Sequence, residues 1–202
     1  MTALKGPDLQ TWIALGGFDF SDPNTATHTT WSDLCATPAS RAAFISSVQT
    51  FMVTYGFQGV DLDWEYPGTP ERGGTRADIV NFVSLVQEMR LAFGSSYGIS
   101  LTLAPDYWYP RWFDVAGLAP WVAHMGFMAY DLHGFWDADV AALGQIVRGQ
   151  ADVREIYNNT IPLSYAGVDF AKNHLRCSLV WLRVHTSGPQ LQHAGMPLYY
   201  PQ

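Results

Sequence analysis

The sequence predicts an α/β architecture: parallel strands joined by helical crossovers, forming part of a (β/α)8 TIM barrel. Three observations carry this. Short apolar runs alternate with segments of helical periodicity. The chemically loaded residues cluster at the end of each run or in the loop after it, where parallel barrels keep their sites. The glycine pair after the first run, Gly16-Gly17, is too little for the phosphate loop that an open doubly wound sheet would need.

Residues 11–17 form the first apolar run, stopped by glycines, and read as a buried strand. A loop rich in Asp, Thr, Ser and Pro follows over 18–38. Phe44, Ile45, Val48, Phe51 and Met52 stand at helical spacing before Gly56, which predicts a helix over 39–55. Residues 57–64 read as the second strand. The Gly/Pro-rich loop 66–75 leads into a helix over 76–93, with Ile79, Phe82, Val83, Val86, Met89 and Leu91 on its apolar side. Residues 99–104 make the third strand, ended by Pro105. An aromatic loop over 106–112, a short helical stretch, a fourth strand over 124–130 and a helix over 150–165 complete the reading.

Composition narrows the function. Of 202 residues, 48% are hydrophobic and only 14% charged, so a core can form and disorder is excluded. Eleven Lys and Arg against eighteen Asp and Glu leave a net charge of −7, which argues against nucleic acid and against a basic membrane-surface helix. No apolar run reaches the roughly 18 residues of a membrane span. Two cysteines make neither a disulfide framework nor a zinc pattern. Eight tryptophans among few charges suit an uncharged, flat-faced partner such as a sugar polymer.

The densest feature is the second strand, Gly59-Val60-Asp61-Leu62-Asp63-Trp64-Glu65-Tyr66-Pro67. Side chains alternate along a strand, so Asp61, Asp63 and Glu65 share one face while Val60, Leu62 and Trp64 take the other. Burial and like charge both raise carboxyl pKa values, and such a row titrates as a coupled set. One member is then held protonated near neutral pH, as a general acid requires.

This segment resembles the signature of the family 18 glycoside hydrolases, the chitinases, whose pattern is Asp-Gly-x-Asp-x-Asp-x-Glu. Ala14-Leu15-Gly16-Gly17 is similar to the family's Ser-x-Gly-Gly strand, and Met128-Ala129-Tyr130-Asp131 to its Met-x-Tyr-Asp strand. The stretches 66–74, 104–109 and 131–137 resemble fungal chitinases of the killer-toxin-like subgroup. The likeness runs from about residue 8 to about 173. Gln58 stands where the first Asp of the signature is usual, and a modulating effect on the acidic row is expected from it.

The resemblance implies retaining hydrolysis of β-1,4 bonds in chitin, with the substrate's acetamido group as nucleophile. Glu65 then protonates the glycosidic oxygen and activates water. Asp63 binds the acetamido N–H, Asp61 holds Asp63 in the resting state, and Tyr130 donates to the acetamido oxygen. Asp131 and Met128 belong to the sugar pocket. Trp108, Tyr107 and Trp136 offer stacking faces, with Tyr109 and Trp112 as weaker candidates. His133 is expected to order its loop. No metal or organic cofactor is implied, and chitin or its oligosaccharides is the partner. A non-catalytic chitin-binding lectin and an inactive chitinase fragment are the competing readings; the presence of Glu65 favours an enzyme lineage.

By the same resemblance, 11–17 corresponds to the family's third strand and 124–130 to its sixth, so the chain reads as strands 3 to 6 or 7. Extracellular location is implied, with the leader and first two strands expected before Met1. Residues 1–172 read as the partial catalytic barrel and 173–202 as an atypical tail. That tail can be encoded by DNA whose next reading frame resembles the family's seventh strand, so a frameshift is expected there. Expressed alone, such a chain is expected to be poorly soluble and inactive.

Overall fold

The computed structural model describes residues 2–6, 8–106, 108–134, 136–137, 148–168 and the backbone of 173–176. Five parallel strands lie in one sheet in chain order: β1 (Trp12–Gly16), β2 (Gly59–Asp63), β3 (Gly98–Leu103), β4 (His124–Met128) and β5 (Asn173–Arg176). Each of the four strands read from the sequence forms at its place. The fifth lies in the segment left to the irregular tail, where a short parallel pairing through backbone groups suffices (Met125 opposite Asn173, Met128 opposite Arg176). Among the described residues β1 and β5 each have a strand on one side only.

The connections are helical. α1 (Thr30–Ala36) forms inside the polar loop 18–38, where the sequence reading placed no helix. α2 (Pro38–Tyr55) starts on a capping box, in which Thr37 and Ser40 satisfy each other's backbone, with Pro38 pre-set for the first turn. Gly56 ends it in the left-handed conformation, φ 74°. α3 (Asp78–Phe93) leads to β3, α4 (Val115–Leu118) to β4 and α5 (Val153–Tyr165) to β5.

The core lies between the outer face of the sheet and α1 to α3. Val60, Leu62, Ile99, Leu101, Leu103 and Met125 are fully buried there with Phe82, Leu85, Val86 and Met89. Trp31 of α1 stacks on Trp64, centroids 5.6 Å apart, and Phe82 meets Trp64 edge-to-face at 5.3 Å. Arg41 of α2 grips Glu88 of α3 with two hydrogen bonds (2.9 and 2.7 Å) and donates a third to the Cys35 carbonyl at 2.8 Å.

Register fixes what the other face displays. Ala14 lies opposite Asp61, Asp61 opposite Ser100, and Ser100 opposite His124. At the entry of the strands Trp12 lies over Gly59 and Gly98: a Cβ on either would meet its indole at 2.4 or 2.0 Å. The same indole reaches across to His124, 5.0 Å between ring centroids. The strand exits therefore carry the polar side chains, and the entries carry this aromatic floor.

Candidate active site

Asp61 is set on β2 with both neighbouring strands close at hand. It is buried, 7% exposed. Ser100 donates to its Oδ1 at 2.5 Å and Thr102 to its Oδ2 at 3.4 Å. Both donors sit at alternate positions of β3, so a strand otherwise built of Ile, Leu and Leu turns its two hydroxyls to the carboxylate. Sequence reasoning passed over Ser100 and Thr102. Their period of two inside an apolar strand was the available signal.

Asp63 ends β2, and its surroundings are set by backbone. Gly16 lies opposite it with φ 107°, so close that a Cβ would fall 2.1 Å from the Asp63 carbonyl oxygen. The amide of Gly17 donates to that carbonyl at 2.8 Å. Only glycine fits at position 16, which gives the Gly16-Gly17 pair its local reason.

Glu65 is buried to the same extent as Asp61. Burial pushes its carboxyl up from 4.5 to about 7, and the negative charge of Asp63 adds to the rise. Asp63 also shares a hydrogen bond with it, while a hydrogen bond from the Tyr66 hydroxyl and the positive charge of Arg72 pull the other way. Tyr66 is itself buried and its hydroxyl is pushed well above the usual phenol range, by burial first and by Glu65 second. Tyr109 stacks on Tyr66, 4.1 Å between centroids. Two carboxyls in contact, one of them half-protonated near neutrality, can deliver and recover a proton at working pH.

The β4 side carries Met128, buried, with Tyr130 two residues beyond it, half-buried against the core. His124, Gly126 and Met128 share the face of Ser100 by register. Asp131 takes a left-handed backbone, φ 56°, and its amide donates to Gln150 at 3.1 Å. His133 is buried with both ring nitrogens on carboxylates, Asp137 at 2.9 Å and Glu155 at 2.8 Å. It ties the loop after β4 to α5, the ordering role expected of it.

The aromatic candidates divide. Trp108 and Trp136 are exposed, 55% and 45%. The Arg111 guanidinium lies 3.8 Å over the Trp108 ring, and Trp136 packs across Gly134. Trp112 packs under Gly68. Tyr107 lies outside the described residues. Gln58 calls for a correction. Its Oε1 accepts from the amide and hydroxyl of Thr11 (2.8 and 3.2 Å), and its Nε2 donates to the Gly56 carbonyl at 2.6 Å. It therefore seams β1 to β2 at their starts instead of tuning the acidic row, because an even-numbered position on this strand faces away from Asp61.

The profile of Glycosyl hydrolases family 18 matches residues 1–178. The chain belongs to this family. It is 30% identical to the killer toxin subunits alpha/beta of Kluyveromyces lactis over 163 residues, which is 79% of this chain and 14% of that protein. It is 36% identical to the probable chitinase 2 of Drosophila melanogaster over 145 residues, 69% of this chain and 28% of that protein. Catalytic domain 2 of the Group II chitinase of Ostrinia furnacalis superimposes with a TM-score of 0.71 at 26% identity, covering 86% of this chain and 46% of that one. A mutant of that domain has been solved in complex with penta-N-acetylchitooctaose. The chain thus spans less than half the length of each relative, and its sheet is part of an α/β barrel. Its lineage is that of a glycosidase.

Proposed function

We propose that this chain carries the acid/base strand of a chitin hydrolase, cleaving β-1,4 bonds between N-acetylglucosamine units with retention of configuration. The observation that carries the reading is Glu65: a buried carboxyl, raised to about 7 and hydrogen-bonded to a second carboxyl, at the strand exit of a family 18 chain. A group so poised protonates the glycosidic oxygen as it leaves. The acetamido oxygen of the substrate attacks the anomeric carbon, forming an oxazolinium ring, and Glu65 as carboxylate then takes a proton from the water that opens it.

Asp63 accepts the acetamido N–H and offsets the positive charge of the ring. Asp61, which accepts from Ser100 and Thr102, holds Asp63 in the resting enzyme. Tyr130 donates to the acetamido oxygen and aligns it for attack, an effect of position and charge. Asp131 and Met128 border the sugar, and Trp108, Trp136 and Tyr107 give it stacking faces. The sequence relatives include a secreted chitinase of Penicillium expansum, which supports an extracellular site of action.

The test is Glu65→Gln in the protein carrying this chain within a closed barrel. Turnover on chitin oligosaccharides is expected to fall by about 10²–10⁴ while affinity holds, since the lost proton acts mainly in the transition state. Unchanged turnover with weakened binding would assign Glu65 to substrate binding and overturn the proposal.

A further inference from the structure

Arg72 stands apart among the polar groups near the site. It closes a short turn after β2 (Pro70–Arg72) that Gly73 ends with φ 72°. Its side chain is 7% exposed, a degree of burial that an arginine reaches only when its donors are matched. Nε donates to the backbone carbonyl of Glu65 at 3.1 Å. Nη1 donates to Asp22 Oδ1 at 2.5 Å, and Nη2 to the Phe18 carbonyl. The guanidinium carbon lies 3.9 Å from the centre of the Phe18 ring. One planar cation thus clamps three points: the backbone of Glu65 and two positions on the loop leaving β1.

We propose that Arg72 is the positioning residue of the acid, fixing the Glu65 main chain against the β1 loop so that its carboxyl keeps one direction. The inference rests on the reading of Glu65 as the general acid. The geometry favours a fork over a point charge: three acceptors on two segments are met by three separate N–H groups of one rigid plane. A lysine reaches one of them at a time. Charge is a second, separable contribution. Among the described residues the charged or titratable groups around Glu65 are Asp63, Tyr66, Tyr109 and Arg72, and of these only Arg72 is a cation.

The experiment compares Arg72→Lys, Arg72→Gln, Asp22→Asn and Glu65→Gln in the protein carrying this chain within a closed barrel. It follows kcat, KM and the pH profile on a chitin oligosaccharide, with thermal unfolding as the check of folding. Arg72→Lys is expected to lower kcat by about 10²-fold, the cost of a misplaced acid, with KM within about threefold and the basic limb unmoved. Arg72→Gln lowers kcat similarly and moves the basic limb to higher pH, because the cation that favours the Glu65 carboxylate is gone. Asp22 is 38% exposed in its side chain, so Asp22→Asn leaves the fold intact and lowers kcat by about several-fold through a loosened clamp. Folded Arg72→Lys and Asp22→Asn proteins with parent kcat and KM overturn the inference, even if Arg72→Gln fails to fold. Parent-like turnover of Glu65→Gln overturns the reading of the acid instead, so the two failures are told apart.

Discussion

Replacing Glu65 by Gln should change how stability depends on pH, and the change can be worked from the structure. The folded carboxyl is raised to about 7 from 4.5, by burial first and Asp63 second. A carboxyl raised in the fold keeps its proton where the unfolded chain has released it. Its stabilising share is therefore complete below about pH 4.5 and is lost as pH climbs to about 7. With about 1.36 kcal/mol per pKa unit, the loss amounts to about 3 kcal/mol. Gln is a neutral isostere with no proton to lose. Urea unfolding of parent and variant at about pH 4, 6 and 8, followed by tryptophan fluorescence, gives both curves. The expected gap widens by about 3 kcal/mol in favour of Glu65→Gln between acid and alkaline pH. Any constant offset from altered hydrogen bonds to Asp63 and Tyr66 drops out, because the slope is read. Parallel curves would show a solvated carboxyl and refute the argument for a protonated acid.

Four further outcomes are expected. Gly16→Ala should shift the urea midpoint more than Gly17→Ala: both carry a left-handed strain of about 1–2 kcal/mol, but only the Cβ at 16 also displaces the Asp63 carbonyl. Arg41→Met breaks a pair with Glu88 that is 8% and 35% exposed on its two sides, and a loss of about 2 kcal/mol is expected by urea titration, between exposed and buried pairs. His133→Ala removes two carboxylate contacts and should cost about 1–3 kcal/mol in the same assay, whereas Trp108→Ala should leave stability within about 0.5 kcal/mol and weaken oligosaccharide binding measured by calorimetry.

Much of this architecture was legible because periodicity reports burial. The strand 57–64 announced itself through alternation and the helix 39–55 through its apolar spacing and Gly56, and the structure places them within two residues. α1 escaped notice since Trp31 and Cys35 are its only buried residues, too few to mark a period. β5 escaped because a four-residue parallel strand leaves little pattern. At the site, the acidic row was visible from spacing alone. Arg72 was not, because a clamp on main-chain carbonyls depends on where two loops meet and leaves no motif. Gln58 was misjudged by reading motif position as spatial neighbourhood.

The indole of Trp12 gives Gly59 a meaning unrelated to its place beside the acidic residues. Trp12, Gly59 and Gly98 occupy one volume between them, the ring filling what two absent side chains leave. They behave as a single unit of exchange. Enlarging either glycine demands a smaller residue at position 12, and shrinking Trp12 alone uncovers the backbone at Gly59 and Gly98. Redesign of this floor must therefore move all three positions together rather than one at a time.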